Sequence, residues 1–372
     1  MRDNTLKKLG TLGQSVWLDY IQRDLVANGQ LLHLIEADGL RGMTSNPAIF
    51  EKAIDGSHEY DADIKTMSLA GMGANEIYEA LTQGDVQMAA AVFTQVYESS
   101  DGMDGYVSLE INPHLAHDAK GAIAEARRLW GALTRPNVLI KIPATNEGLT
   151  VISQLISEGI NVNVTLLFGL TRYQQVAEAY IVGLEMRLAK GESLKNVASV
   201  ASFFLSRIDA LIDPLLEGIV AQNGYKSDIA RQTLGLAAVA SAKLAYQNFK
   251  EIFNSERFKK LAEKGARPQR LLWASAENKN PAYGDLKYVE ALIGPGTVCT
   301  IPIKTMDSFR DDGVPLSYLE RDVAQSAIAL TQLAGLGISI ESVAKQLEIE
   351  GVGKFNKSFD KLIKKLAKTS CQ

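Results

Sequence analysis

Short apolar runs alternate along this chain with longer stretches whose apolar residues recur every third or fourth position. The runs are Ser15–Asp19, Leu40–Asn46, Gly105–Asn112, Val138–Ile142, Ile160–Leu166, Val197–Phe204, Gln269–Ser275 and Thr297–Pro302. A continuous aliphatic run such as Val138–Ile142, stopped by a proline, reads as a strand covered on both faces in a parallel sheet. The stretches between the runs have helical spacing. Ile21–Asp38 carries Leu25, Leu31, Leu34 and Ile35 and stops near Gly39. Phe50–Ser100 reads as helical, with breaks near Gly56 and Gly71-Met72-Gly73. Asp118–Leu133 puts Ala119, Ile123, Ala126 and Trp130 on one face. Leu149–Glu158 and Thr171–Ala189 are further helices, Arg207–Ile212 opens the connection after the sixth strand, and Thr5–Gly13 reads as a short polar lead.

Strand and helix segments alternate eight times. Alternation predicts a parallel sheet with right-handed crossovers, and a count of eight predicts a closed (β/α)8 TIM barrel. Such a barrel needs about 250 residues, and the chain has 372. The surplus falls in a helical insertion, about 215–264, and a helical tail, about 316–370, which becomes lysine-rich near its end. No Pro/Gly/Ser-rich linker or low-complexity segment appears, so residues 1–372 read as one domain. The length and pattern of the tail suggest a segment folded across the barrel mouth. The insertion could cover the barrel bottom, make a dimer contact or do neither, and the oligomeric state, monomer or homodimer, stays open.

Composition narrows the function class. The chain is 46% apolar and 22% charged, with net charge −4 and a pI of about 5.7. That is a soluble globular composition with enough apolar residues for a large core. There is no basic stripe, so nucleic acid is not an expected partner. No apolar run reaches about 18 residues, so no membrane span is expected. The opening MRDNTLKKLG has neither a secretory apolar region nor a complete transit-peptide pattern. Two distant cysteines, Cys299 and Cys371, make neither a disulfide framework nor a zinc site and fit a reducing cytoplasm.

Polar residues near the strand ends carry the candidate chemistry, because such barrels build their sites there. They are Asp19, Asn46, Glu110, Lys141, Asn163, Thr165, Ser202 and Ser275. Asn163 and Thr165 are two apart and point to one face of their strand. Lys141 stands inside an aliphatic strand, where lysine is seldom found without a partner. Burial disfavours an ammonium charge, and a lysine held partly neutral is a nucleophile toward carbonyls. Two carboxylates could then divide proton shuttling and abstraction of a hydroxyl proton. Each residue taken singly also has a structural explanation. Asp19 could cap a helix, Asn46 could serve its turn with Pro47, Glu110 could neutralise Lys141, and Ser202 could be a bonded core hydroxyl. There is no P-loop, G-x-G-x-x-G or G-x-S-x-G, and the His114/His117 pair is weak ground for a metal.

The stretches GMTSNPAIF (42–50), VSLEINP (107–113), VLIKIPATNEGL (138–149), INVNVTLLF (160–168), VASVASFFLSRID (197–209) and IPIKTMDSF (301–309) resemble those of transaldolases, in the longer bacterial-type branch. They follow family order and spacing over Ser15–Arg310. The resemblance implies a class I aldolase barrel without metal or organic cofactor. It implies transfer of a dihydroxyacetone unit from sedoheptulose 7-phosphate or fructose 6-phosphate to an aldose phosphate, glyceraldehyde 3-phosphate or erythrose 4-phosphate. The setting would be the non-oxidative pentose phosphate pathway in the cytoplasm. By position, Lys141 is similar to the Schiff-base lysine and Asp19 to the acid/base at the C4 hydroxyl. Glu110 is similar to the water-assisted proton shuttle, with Thr165 placing the water. Asn46, Asn163 and Ser202 match residues holding the dihydroxyacetone hydroxyls, Thr44 and Phe204 match pocket lining, and Arg207 matches a phosphate-binding arginine.

Two positions depart from the family pattern. Shorter transaldolases carry a second phosphate-binding arginine after strand seven, where this chain reads Trp273-Ala274-Ser275-Ala276-Glu277-Asn278-Lys279-Asn280. An acid stands in the arginine's place, and Lys279 could restore the charge. Met43, immediately before the T-S-N-P motif, is the other departure. Two rivals remain open: an aldolase that releases free dihydroxyacetone, as fructose-6-phosphate aldolases do, and a barrel that binds sugar phosphates without turning them over.

Overall fold

The computed structural model describes residues 4–369. Cys371 lies outside them, and Cys299 is a buried free thiol. Eight strands close into a barrel: β1 (Gln14–Asp19), β2 (Gly42–Thr44), β3 (Tyr106–Glu110), β4 (Val138–Pro143), β5 (Val162–Leu167), β6 (Ser199–Phe204), β7 (Arg270–Ala274) and β8 (Thr297–Ile301). Neighbours in sequence pair in parallel, and β8 closes on β1 through Gln14↔Thr297 to Leu18↔Ile301. Every residue of β2 to β8 is buried, and Asp19 at the end of β1 is the one strand residue that is only partly so. This is why the runs read as continuous: ring helices cover one face and barrel side chains fill the other.

Helices return the chain between strands, and four segments differ from the sequence expectation. The polar lead contains a helix, Thr5–Thr11, because Leu6 and Leu9 bury one stripe against the barrel and Asn4 caps its start. The stretch from Ile21 to Asp38 divides into Arg23–Ala27 and Gln30–Asp38, since Gly29 at φ 81° breaks the helical path. Between residues 50 and 100 the breaks at Gly56 and 71–73 are present, and a further one falls at buried Phe93. After β6 one helix, Ser206–Ala221, runs through Pro214 and past residue 215, and Ser227–Thr233, Ala237–Phe253 and Glu256–Ala262 follow it.

The tail holds two helices, Val323–Gly335 and Ile340–Thr369. The second crosses the end of the barrel where the strands finish. Gly351 rests on Leu166 of β5, and the Phe359 ring meets Tyr78 edge-on at 5.1 Å and His114 at 5.9 Å. Lys361 reaches Glu51, after β2, at 2.5 Å. The opposite end of the barrel is plugged. Arg270 donates to Asp104 at 2.8 Å and to Ser15 at 2.9 Å, and Ser15 donates to Asp104 at 2.8 Å. The open end is therefore the one beneath the tail helix.

Candidate active site

At the open end β1 and β2 set Asp19 beside Thr44 as register partners. The Thr44 hydroxyl donates to Asp19 Oδ1 at 2.7 Å and lies 2.7 Å from Thr300 Oγ1 of β8. Burial pushes the Asp19 carboxyl above the usual carboxylate range, and the Thr44 bond and the Lys141 charge oppose it. Asp19 caps no helix; the next one starts from Gln22 without a side-chain cap.

Glu110, Lys141 and Asn163 form one row across β3, β4 and β5. Register partners on parallel strands share a face, here the interior. Lys141 is 4% exposed and Glu110 6%. The Lys141 ammonium nitrogen Nζ donates to the Ser45 carbonyl at 2.9 Å and stands 3.5 Å from Glu110 Oε2. The second distance is long for a hydrogen bond. Neither Glu110 oxygen has a hydrogen-bond partner among the described residues. Burial pushes the Glu110 pKa up to about 7, against the pull of the Lys141 charge. Thr165, two residues beyond Asn163, likewise carries a buried Oγ1 with no partner among the described residues.

The other polar groups divide between scaffold and cavity. Asn163 donates to Ser108 Oγ at 3.0 Å and accepts from Ser202 Oγ at 2.6 Å, so its carboxamide is engaged within the protein. Asn46 Oδ1 accepts from the Ile49 amide at 3.0 Å and caps the helix Pro47–Asp55. Its oxygen therefore caps a helix rather than serving a turn with Pro47, which leaves its NH2 as the donor a ligand could use. Ser275, at φ 51°, turns the chain away from β7 and places its hydroxyl 3.0 Å from that of Ser206. The Phe204 ring packs on Phe168 at 5.2 Å and carries the Arg207 guanidinium 5.2 Å from its centroid. Arg207 Nη1 is buried without a hydrogen-bond partner among the described residues. Burial lowers the Arg207 pKa, with Asp19 and Glu110 opposing.

These groups border a cavity of about 210 Å³. Of the sequence candidates, Asp19, Thr44, Asn46, Lys141, Ser202, Phe204, Arg207, Ser275 and Lys279 line it, while Glu110, Asn163 and Thr165 are buried beside it rather than in its wall. Glu277, the acid in the arginine's place, is exposed at the rim with Lys279. Four residues were missed in the sequence. Thr300 meets the rule used for the other strands, a polar side chain near a strand end. Ser45 acts through its carbonyl and Ser108 through its hydroxyl on Asn163, which only the register reveals. Lys52 lies about one helical turn past Ile49, and it too lines the cavity. Among the described residues, no group of three or more His, Cys, Asp or Glu could hold a metal. His114 and His117 part company, to Asp360 at 2.7 Å and Glu147 at 3.2 Å.

A closed parallel barrel with a lysine and two carboxylates at its open end defines an enzyme of the class I aldolase type. The family model described as Transaldolase/Fructose-6-phosphate aldolase matches residues 16–366, and the chain belongs to that family. It is 46% identical over 370 residues to a transaldolase of Trichodesmium erythraeum (strain IMS101), covering 98% of this chain and 97% of that one. It is 44% identical over 360 residues to a transaldolase of Thiobacillus denitrificans, covering 97% and 99%. A transaldolase of Acidothermus cellulolyticus is 45% identical over 358 residues, covering 96% and 94%.

Proposed function

We propose that this protein is a transaldolase that carries a dihydroxyacetone unit on Lys141 between phosphorylated sugars. The observation that carries the reading is the buried Lys141 amine, 3.5 Å from Glu110, on the floor of a cavity walled by Asp19. The amine attacks C2 of a ketose phosphate and the carbinolamine loses water to give an imine. Glu110, with a pKa near 7, can both give and take a proton near neutral pH, as that step and its reversal require. Its unpartnered oxygens, with Thr165 Oγ1, suit a bound water as the relay.

Asp19 then takes the C4 hydroxyl proton. The C3–C4 bond breaks, its electrons pass into the iminium, and an aldose phosphate leaves an enamine on Lys141. An acceptor aldose phosphate adds back along the same path, with Asp19 returning the proton. Asn46 and Ser202 are assigned the dihydroxyacetone hydroxyls, with Asn163 holding Ser202 in place. Arg207 is assigned the substrate phosphate, with Lys279 as the second cation and Ser275 as a hydroxyl at the same rim. Ping-pong transfer requires the intermediate to survive until the acceptor arrives, so water must be held off the imine carbon. No metal or organic cofactor enters this chemistry. The cytoplasm and a single domain over the whole chain belong to the same proposal.

The test is borohydride trapping with fructose 6-phosphate followed by peptide mass spectrometry. A reduced dihydroxyacetone adduct on the peptide holding Lys141, absent in Lys141→Ala with activity lost by about 10³-fold or more, is expected. Full activity in Lys141→Ala would overturn the mechanism. Discharge of the intermediate by erythrose 4-phosphate marks a transferase, whereas release of free dihydroxyacetone without acceptor would mark an aldolase.

A further inference from the structure

Helix Pro47–Asp55 follows β2 and presents Asn46, Ile49 and Lys52 to the cavity at three-residue spacing. Residues three apart share a helix face. Its acids are committed elsewhere: Lys361 of the tail helix reaches Glu51 at 2.5 Å, and Lys365 pairs with Asp55. Lys52 makes no ion pair and no side-chain hydrogen bond among the described residues, and its side chain is exposed at the cavity mouth. Arg207, after β6, and Lys279, after β7, supply the other cations of the cavity wall besides Lys141. Glu277 stands at the same rim and opposes an anion there.

We infer that Lys52 is a specificity-determining residue that binds the phosphate of the sugar substrate, closing a cationic rim with Arg207 and Lys279. The inference rests on the sugar-phosphate reading of the cavity given above. A phosphate between Arg207 and Lys279 alone would face Glu277 with one fixed and one mobile cation. Lys52 adds a third positive charge from the helix after β2. The division of labour follows from the side chains. Arg207 is half-buried, and its planar fork lies over the Phe204 ring, which suits a fixed bidentate contact. Lys52 and Lys279 end flexible four-carbon stems and can follow a phosphate whose reach differs between donors and acceptors of unequal chain length.

Lys52→Gln and Lys52→Arg test it, alongside the unaltered chain. A hydrogen bond to a charged group is worth about 1.5–3 kcal/mol, and the lower value fits an exposed lysine. In Lys52→Gln, KM for fructose 6-phosphate is expected to rise about tenfold, and inhibition by inorganic phosphate to weaken by a similar factor. Trapping of phosphate-free dihydroxyacetone on Lys141 should need about the same concentration as before. Lys52→Arg, which keeps the charge, should recover most of the KM. Equal losses with phosphorylated and phosphate-free substrates, or an unchanged KM in Lys52→Gln, would overturn the role of Lys52. Failure of the unaltered chain to form any adduct on Lys141 would overturn the functional reading instead.

Discussion

Glu110 keeps both carboxylate oxygens unpartnered inside the barrel, and burial raises its pKa from the ordinary 4.5 to about 7. The folded state therefore holds this proton more tightly than the unfolded chain does. Its contribution to stability falls as pH rises from about 4.5 to about 7, and the full cost remains above that. Glu110→Gln removes the cost. The variant is expected to be more stable than the parent by about 2–3 kcal/mol near pH 8 and by less than half that near pH 5, read from urea unfolding. It should also lose about 10²–10⁴ in turnover and the pH limb near neutrality. A variant less stable than the parent at both pH values would contradict the burial cost. The type of each candidate catalytic residue was legible in the sequence, because an acid or a lysine inside an apolar strand demands explanation. The structural company was not. Ser108 and Ser202 hold Asn163 through contacts 55 and 39 residues away in sequence.

Among the helices, periodicity located the ring well, and capping decided its ends. Asp118 and Thr145 accept from Gly121 and Gly148 and start their helices where polar residues meet apolar spacing. What periodicity could not show is the closeness of helix–helix contact. Gly183, in the helix Leu170–Ala189, faces the helix Asn146–Glu158 so closely that an added Cβ would meet Ile156 Cβ at 2.7 Å and the Ser153 carbonyl at 2.8 Å. Gly183→Ala gains helix propensity of about 1 kcal/mol but forces the two helices apart. A net destabilisation of about 1–2 kcal/mol is expected from overpacking, measured as a shift in the denaturant midpoint with an unchanged slope. A stabilised variant would show that the pair can part freely. The length of the helix after β6 also escaped the sequence, which showed Arg207–Ile212 only as the opening of a connection, whereas Ser206–Ala221 runs on through Pro214.

Over the whole molecule, net charge is −4 while the cavity mouth gathers Lys52, Arg207 and Lys279. The attraction for a phosphorylated sugar is then local and open to screening, with a screening length of about 8 Å at 0.15 M salt. KM for fructose 6-phosphate should rise several-fold between about 0.05 and 0.5 M sodium chloride, while trapping of dihydroxyacetone changes little. Equal salt effects on both would place the charge sensitivity outside the rim. The tail helix bears on the same end of the molecule. Its Lys361 and Lys365 neutralise Glu51 and Asp55 on the helix that carries Lys52, so a segment some 310 residues away sets the charge left facing the cavity.

By itself the sequence determined the eight strands, their order, the closed parallel barrel and the residue types at the strand ends. Each follows from local pattern: continuous apolar runs, helical spacing between them, and a charged residue where none should be. Only the tertiary structure decided which of those polar groups share a cavity. It placed Asn163 and Thr165 beside the cavity and Lys52 in its wall, and it folded the tail helix over the open end. Those outcomes depend on register between strands and on contacts hundreds of residues apart, and neither leaves a periodic trace along the chain.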